Sequence, residues 1–424
     1  MDATYTTHHA NANTYAPPAI VRLFYKEAAV VGVLGAIALL IGVVLAPEQF
    51  FRSYLFAYMF WLGIALGSLA ILMVQHLSGG AWGIVTRRML EAAAATVPLL
   101  AVLFIPIALS FLTKHHLYEW AAHDAPVGGV MSVEPAGLEG SGHDAIKHKI
   151  GYLNVQFFII RAIIYFVIWS AMALLLNRWS TEQDRTGNPA LPTRMRNLSG
   201  PGIVIYAITV TFAAVDWIMS LAPEWTSTIF GILTMGGQGL SAMSFMIVMA
   251  AWLLKREPFA SVYKPRHFHD LGKLLMAFTM LWAYFSFSQL LIIYSGNLPE
   301  EIPWYLDRMR GGWQYIAFAL VVFQFALPFA LLLSRDLKRN ANRLVFIASL
   351  ALFMRLVDNF WMVEPQFHKA DMSTFRLSAV LLDIVAPIAI GGIWLAFFAY
   401  RLSQRPLLPI NDPYLADGLN PKGH

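Results

Sequence analysis

Five charged side chains fall well inside long apolar runs of this 424-residue chain: Arg161, Asp216, Arg355, Asp358 and Asp383. A charge placed in hydrocarbon costs about 2.5–3.5 kcal/mol on insertion scales, so each must face an interior and find a partner or a task. Arg355 and Asp358 stand three apart on one run and share a helix face. Arg161 and Asp216 lie in consecutive runs at a similar depth, roughly 8 to 12 Å from the same end at the helical rise. Two arginines neutralise two aspartates, and Asp383 is left over. A buried carboxylate without a cation is the kind of group a proton relay uses. At the opposite ends of the runs stand His76, Glu91 and Asp270 with Lys273. His76, Glu91, Arg161, Asp216, Asp270, Arg355, Asp358 and Asp383 together outline a proton route, with the first two and Asp270 on its inner half. Arg161 with Asp216 is also the best available pair for a quinone head group, the carboxylate accepting a proton and the guanidinium orienting the ring.

The elements that position these groups are set by composition. The chain is 58% hydrophobic and 13% charged, against about 25% charged in a soluble domain. Apolar runs long enough to cross about 30 Å of hydrocarbon recur at 28–46, 53–77, 89–112, 153–177, 199–221, 226–254, 267–295, 311–334, 338–362 and 374–401. They predict an all-α integral membrane protein of about ten helices. The prolines inside the runs are few, such as Pro98, Pro106, Pro328 and Pro387, so the spans are expected to be fairly uninterrupted. The first run lacks a small-residue cleavage site and reads as a retained helix. Lys and Arg concentrate in the tails and in the loops after even-numbered spans, which predicts both termini in the cytoplasm. The same asymmetry accounts for the net charge of +5, which therefore does not point to nucleic acid.

Two distant stretches read alike: AVDWIMSLAPEW at 214–225 and LVDNFWMVEPQF at 356–367. The likeness extends backwards, since GIALGSLAILMV from Gly63 resembles GQGLSAMSFMIV from Gly237, and Glu91 and Asp270 open the runs that follow. A parallel repeat of four helices results. The expected organisation is a tail at 1–27, a flanking helix at 28–52, a first four-helix bundle at 53–225, a second at 226–366, a flanking helix at 367–401 and an extended tail at 402–424. Small residues such as Gly63, Gly67, Gly236, Gly237 and Gly239 are expected to let helices approach closely. Tyr54, Tyr58, Trp217, Trp225, Trp304 and Trp361 fit an aromatic belt at the outer interface.

The absence of cysteine rules out disulfides, cysteine-ligated iron–sulfur clusters and covalently attached haem c in this chain. Of its 12 histidines none stands in the middle of a span, and His76 lies near the end of one, so any redox metals belong to partners. The loop at 113–152 carries His115, His116, His123, His143 and His148. Their spacing matches no standard ligand pattern, and the loop reads as a docking surface or lid. The tail RPLLPINDPYLADGLNPKGH is too rich in proline for a helix and suits extended packing against a neighbouring subunit.

FWLGIALGSLAILMVQHLSGGAWG (60–83), RRMLEAAAATVPLLAVLFIPI (87–107) and DWIMSLAPEWTSTIFG (216–231) resemble the NrfD/PsrC-like membrane subunits of bacterial alternative complex III, closest to the ActF type. The resemblance implies a bacterial inner-membrane subunit of a quinol-oxidising, electron-accepting respiratory complex, not catalytic alone and holding no redox cofactor of its own. It implies partner subunits that carry haem c and iron–sulfur clusters, a paralogous NrfD-like membrane subunit, lipid, and cytochrome c or a haem-copper oxidase as the electron acceptor. It also implies menaquinone or another quinone as the reductant. Within that frame a proton-conducting or structural subunit, a quinol-binding subunit with its site in the first bundle, and a secondary transporter are the three functions the residues allow.

Overall fold

Ten helices in the computed structural model are long and apolar enough to cross a membrane. We label them α1 (Ala19–Leu45), α2 (Pro47–Ser78), α3 (Trp82–Leu112), α4 (Val155–Thr186), α5 (Ala190–Leu221), α6 (Phe230–Leu253), α7 (Pro265–Gly296), α8 (Trp313–Leu333), α9 (Ala341–Gln366) and α10 (Ala379–Ser403). The described residues are 15–113, 117–124, 149, 151–367 and 377–419, and among them there is no strand. The chain is an all-α, multi-pass membrane protein. Several helices begin earlier than hydropathy suggests: α1 at Ala19, α3 at Trp82 and α5 at Ala190. Hydropathy falls at the first charge, whereas the backbone ladder continues through the polar turn and carries Arg22, Arg87, Arg88 and Arg194 with it.

Burial separates the helices into layers. In α2 and α6, 89% and 78% of the most apolar window is buried, against half or less in the other eight. These two form the centre. α2 packs on α3, α5, α6, α9 and α10, while α6 also meets α5, α7 and α9. α1 packs chiefly along α10, where Gly32 meets the backbone at Gly392 and Gly35 lies against Ala389. The Leu407 amide donates to the Tyr15 carbonyl at 2.8 Å, so the segment before α1 and the segment after α10 meet at one face. We call it the terminal face and its opposite the far face.

Two spans are interrupted, unlike the smooth helices the sequence suggested. α3 breaks into Ala81–Ala94, Val97–Leu103 and Ile105–Leu109. Pro98 and Pro106 lie at the starts of the later pieces, where a residue without an N–H is tolerated. Tyr58 donates to the Leu100 carbonyl at 2.9 Å and Tyr54 to the Leu103 carbonyl at 2.7 Å, which satisfies backbone groups that a broken helix exposes. In α8 the residues Leu320–Ala326 form a π-helical segment ahead of Pro328.

Five of the six aromatic residues expected at the outer interface are instead interior, and Trp361 is half-buried. Tyr54, Tyr58, Trp217, Trp225 and Trp304 are all buried, because each ring packs on others: Trp217 on Phe104 and Phe166, and Trp225 flat against Trp304 at 4.4 Å. The tail is also corrected. Residues 404–419 fold back on their own chain, burying Leu407 and Leu408, and finish in a short helix, Leu415–Leu419. Local composition favoured an extended segment, but the charged partners that hold the tail lie far away in sequence. The histidines of the 113–152 loop lie outside the described residues, except for the backbone of His123 in the turn Glu119–Asp124.

Candidate functional site

The structure gathers the acids of the far face into three groups. In the first, Arg161 on α4 meets Asp216 on α5 through a fork: Nε donates to Oδ2 and Nη2 to Oδ1, each at 2.9 Å. Bidentate pairs of this kind fix orientation as well as charge. Tyr165 donates to Asp216 Oδ2 at 2.9 Å, and Arg161 Nη1 donates to the Tyr152 carbonyl at 3.0 Å. The guanidinium lies 3.9 Å over the Tyr152 ring. Burial, reinforced by Asp216, pushes the Tyr152 phenol well above its ordinary value. Asp216 is 0% exposed and both its oxygens accept hydrogen bonds.

The second group lies in α6–α9. Arg355 Nη1 pairs with Asp358 Oδ2, which also accepts from Trp282 Nε1 at 3.0 Å. Arg355 Nε donates to Ser241 Oγ at 3.3 Å. Gln324, in the π segment, reaches the same cluster when its amide donates to the Met354 carbonyl at 2.9 Å and accepts from Trp282 at 3.1 Å. Gly237 leaves room for the Arg355 guanidinium, which a Cβ there would displace. Arg–Asp–aromatic donor is thus built twice, once with Tyr165 and once with Trp282.

Asp383 anchors the third group and differs in kind. It accepts from Ser53 Oγ at 2.5 Å and Gln49 Nε2 at 3.1 Å, both on α2. Gln49 also reaches Glu364 Oε1 at 3.4 Å. Two acids therefore share one amide, and both side chains that donate to Asp383 among the described residues are neutral. Sequence reasoning missed Gln49, Ser53 and Glu364. A Gln and a Ser four apart near a helix start read as ordinary packing, and Glu364 reads as part of a Pro/Glu turn.

The terminal face holds a denser network centred on Glu91. Its Oε1 accepts from Arg87 Nε at 2.9 Å and Ser180 Oγ at 2.6 Å, and its Oε2 from Arg88 Nη1 at 2.6 Å. Arg87 continues to Asp412 and Arg88 to Asp184. Arg405 lies 3.7 Å from Glu91 and donates to the Asn177 carbonyl at 3.2 Å. Burial pulls the Arg405 guanidinium down, opposed by the charge of Glu91. Arg87 and Arg88 were expected as loop cations that set topology, yet both are buried within α3. The basic doublet carried no signal of its partners, which come from α4 and the tail. His76 lies near Arg87 and Glu91, and its Nε2 has no hydrogen-bond partner among the described residues. Asp270 stays apart, partly exposed on α7 beside Lys273 at 3.2 Å.

The network predicts that the tail is a structural strap. Asp412→Ala is expected to remove a charge-assisted bond to buried Arg87 and to lower unfolding stability by about 1.5–3 kcal/mol. Thermal unfolding in detergent checks the magnitude. Proteinase K should then trim the tail of the variant while sparing that of the parent, and equal resistance of the two would refute the strap.

Among the described residues no group of three or more His, Asp or Glu is placed to hold a metal ion. The chain matches no family model and no curated protein.

Proposed function

We propose that the chain is a membrane subunit of a quinol-oxidising respiratory complex and that its buried acids conduct protons across it. In this reading the terminal face, rich in Lys and Arg, is cytoplasmic, and the far face is external. Protons enter by His76 and Glu91 and leave by the acids of the far face, while haem and iron–sulfur chemistry belongs to partner subunits. Asp383 is the observation that carries the proposal. Asp216 and Asp358 each hold an arginine, so protonating them breaks a buried ion pair, which is costly. Among the described residues Asp383 accepts from Ser53 and Gln49 alone, with Glu364 nearby, and it exchanges a proton without that loss.

Asp383→Asn is isosteric and keeps both neighbours. In vesicles holding the purified complex it is expected to slow, by roughly tenfold or more, the proton transfer across the membrane that exceeds the two protons each quinol itself releases, as loss of a positioned acid does, with quinol turnover and assembly retained. Unchanged transfer rejects the route.

Quinol binding at Arg161 and Asp216 is less favoured, because both carboxylate oxygens are already engaged. The interruptions in α3 and α8 lend some support to a transporter, since transporters place broken helices around their substrates. The breaks in α3 are instead filled by Tyr54 and Tyr58.

A further inference from the structure

The network around Glu91 gathers more cations than acids. Arg87, Arg88, Arg401 and Arg405 converge on the terminal face, against Glu91, Asp184 and Asp412. Three of these arginines have a carboxylate within ion-pair distance. Arg401, at the end of α10, has neither an ion pair nor a side-chain hydrogen bond among the described residues. It nevertheless stands close to the others: burial and the like charges of Arg88 and Arg401 pull the Arg405 guanidinium down, opposed by Glu91 and Asp184. The cluster is therefore short of one negative charge.

Arg88, Glu91, Asn177, Arg401 and Arg405 also line a cavity of about 10 Å³, room for a single oxygen atom. Donors are left over around it. Arg88 Nε is buried and has no hydrogen-bond partner among the described residues. Arg405 donates through Nη1 alone, to the carbonyl and side chain of Asn177, and Arg401 donates through nothing. Asn177 cannot serve them as a further donor, since its Nδ2 is bound to the Glu91 and Ala173 carbonyls. A buried donor without an acceptor is unfavourable. A water molecule would fit the space and leave the excess charge in place, whereas a phosphate diester brings one negative charge and two equivalent oxygens, the pattern that guanidinium groups grip.

The place in the fold decides where such a diester comes from. Arg401 and Arg405 flank Ser403, the last residue of α10. Tyr400, beside Arg401, and Leu174 and Leu175, within a turn of Asn177 on α4, are exposed as expected of a surface against lipid. Basic pockets between transmembrane helices at the cytoplasmic side are a recurring form of lipid headgroup site. We propose that this pocket holds the phosphate of an anionic phospholipid, one oxygen accepting from Arg88 Nε in the cavity and the other from Arg401 and Arg405 at its mouth, with the acyl chains along α4 and α10. A zwitterionic lipid fits less well, because its own cation meets the same arginines. The site requires only that the chain spans a membrane and stands apart from the proton and quinol readings.

The test is native mass spectrometry of the delipidated full-length chain, titrated with phosphatidylglycerol or phosphatidylcholine of matched acyl chains. One phosphatidylglycerol is expected to bind roughly tenfold more tightly than phosphatidylcholine, the scale of a hydrogen bond to a charged group. Arg401→Gln should lose that preference, while Arg194→Gln, which removes an exposed cation from the same face, should keep it. Should Arg401→Gln misfold, competition between the two lipids on the parent chain decides alone. Millimolar inorganic phosphate is expected to leave the bound lipid in place, which separates a headgroup from a free anion as the occupant. Equal binding of the two lipids, an unchanged preference in Arg401→Gln, equal losses in the two variants, or displacement of the lipid by inorganic phosphate overturns the proposal.

Discussion

Glu91→Ala is expected to destabilise the chain by about 3–5 kcal/mol, the scale of removing one partner from a buried ion pair. Glu91 is 2% exposed and is the shared acceptor for Arg87 and Arg88, with Arg405 at 3.7 Å. Removing it leaves three guanidinium groups facing only Asp184 and Asp412. The cost arises from stranded cations more than from lost attraction. A companion variant separates the two: Arg88→Met in the Glu91→Met background should recover a substantial part of the loss, because matched apolar groups replace a buried pair at little cost. Reversible unfolding in mixed micelles reads both. A Glu91→Ala chain within about 1 kcal/mol of the parent, the range of exposed pairs, would mean that water reaches the network.

The second large effect is steric. A Cβ at Gly67 would overlap the carbonyl of Gln238 on α6, where nothing flexible can move aside, whereas at Gly63 it would sit 3.6 Å from the Gln238 side chain in ordinary contact. Gly67→Ala should therefore cost about 1–3 kcal/mol as overpacking between central helices, and Gly67→Val more. Gly63→Ala, one turn away, should be neutral or stabilising by up to about 1 kcal/mol, the helix preference of Ala over Gly. Unfolding midpoints of the two alanine variants give the comparison, and equal losses would show that α2 and α6 are not held this closely.

Sequence made visible those features that local spacing encodes. The ten spans followed from run length. Arg355 and Asp358 share a face by their i,i+3 interval, and the matched depth of Arg161 and Asp216 anticipated a contact between consecutive helices. What stayed hidden depends on partners far apart in the chain. Arg87 and Arg88 read as topology signals because Asp184 and Asp412 are remote. The tail read as extended because its proline content says nothing of the cations waiting for it. The aromatic residues carry the composition of an interface belt, yet their rings interlock inside. The breaks in α3 were written in Pro98 and Pro106, but a proline in a run is compatible with a bend as well as a break. The π segment has no marker in its residues.

The lengthwise pairing of α1 with α10 bears on biogenesis. The main neighbour of α1 lies beyond the eight spans that separate it from α10, so α1 waits through their synthesis with an uncovered seam of small residues. Closing α1 on α10 therefore forms a very long loop, the kind of contact that folds slowly. An insertase or sister subunit that shelters α1 in the interval would govern how much of the newly made chain reaches its finished form.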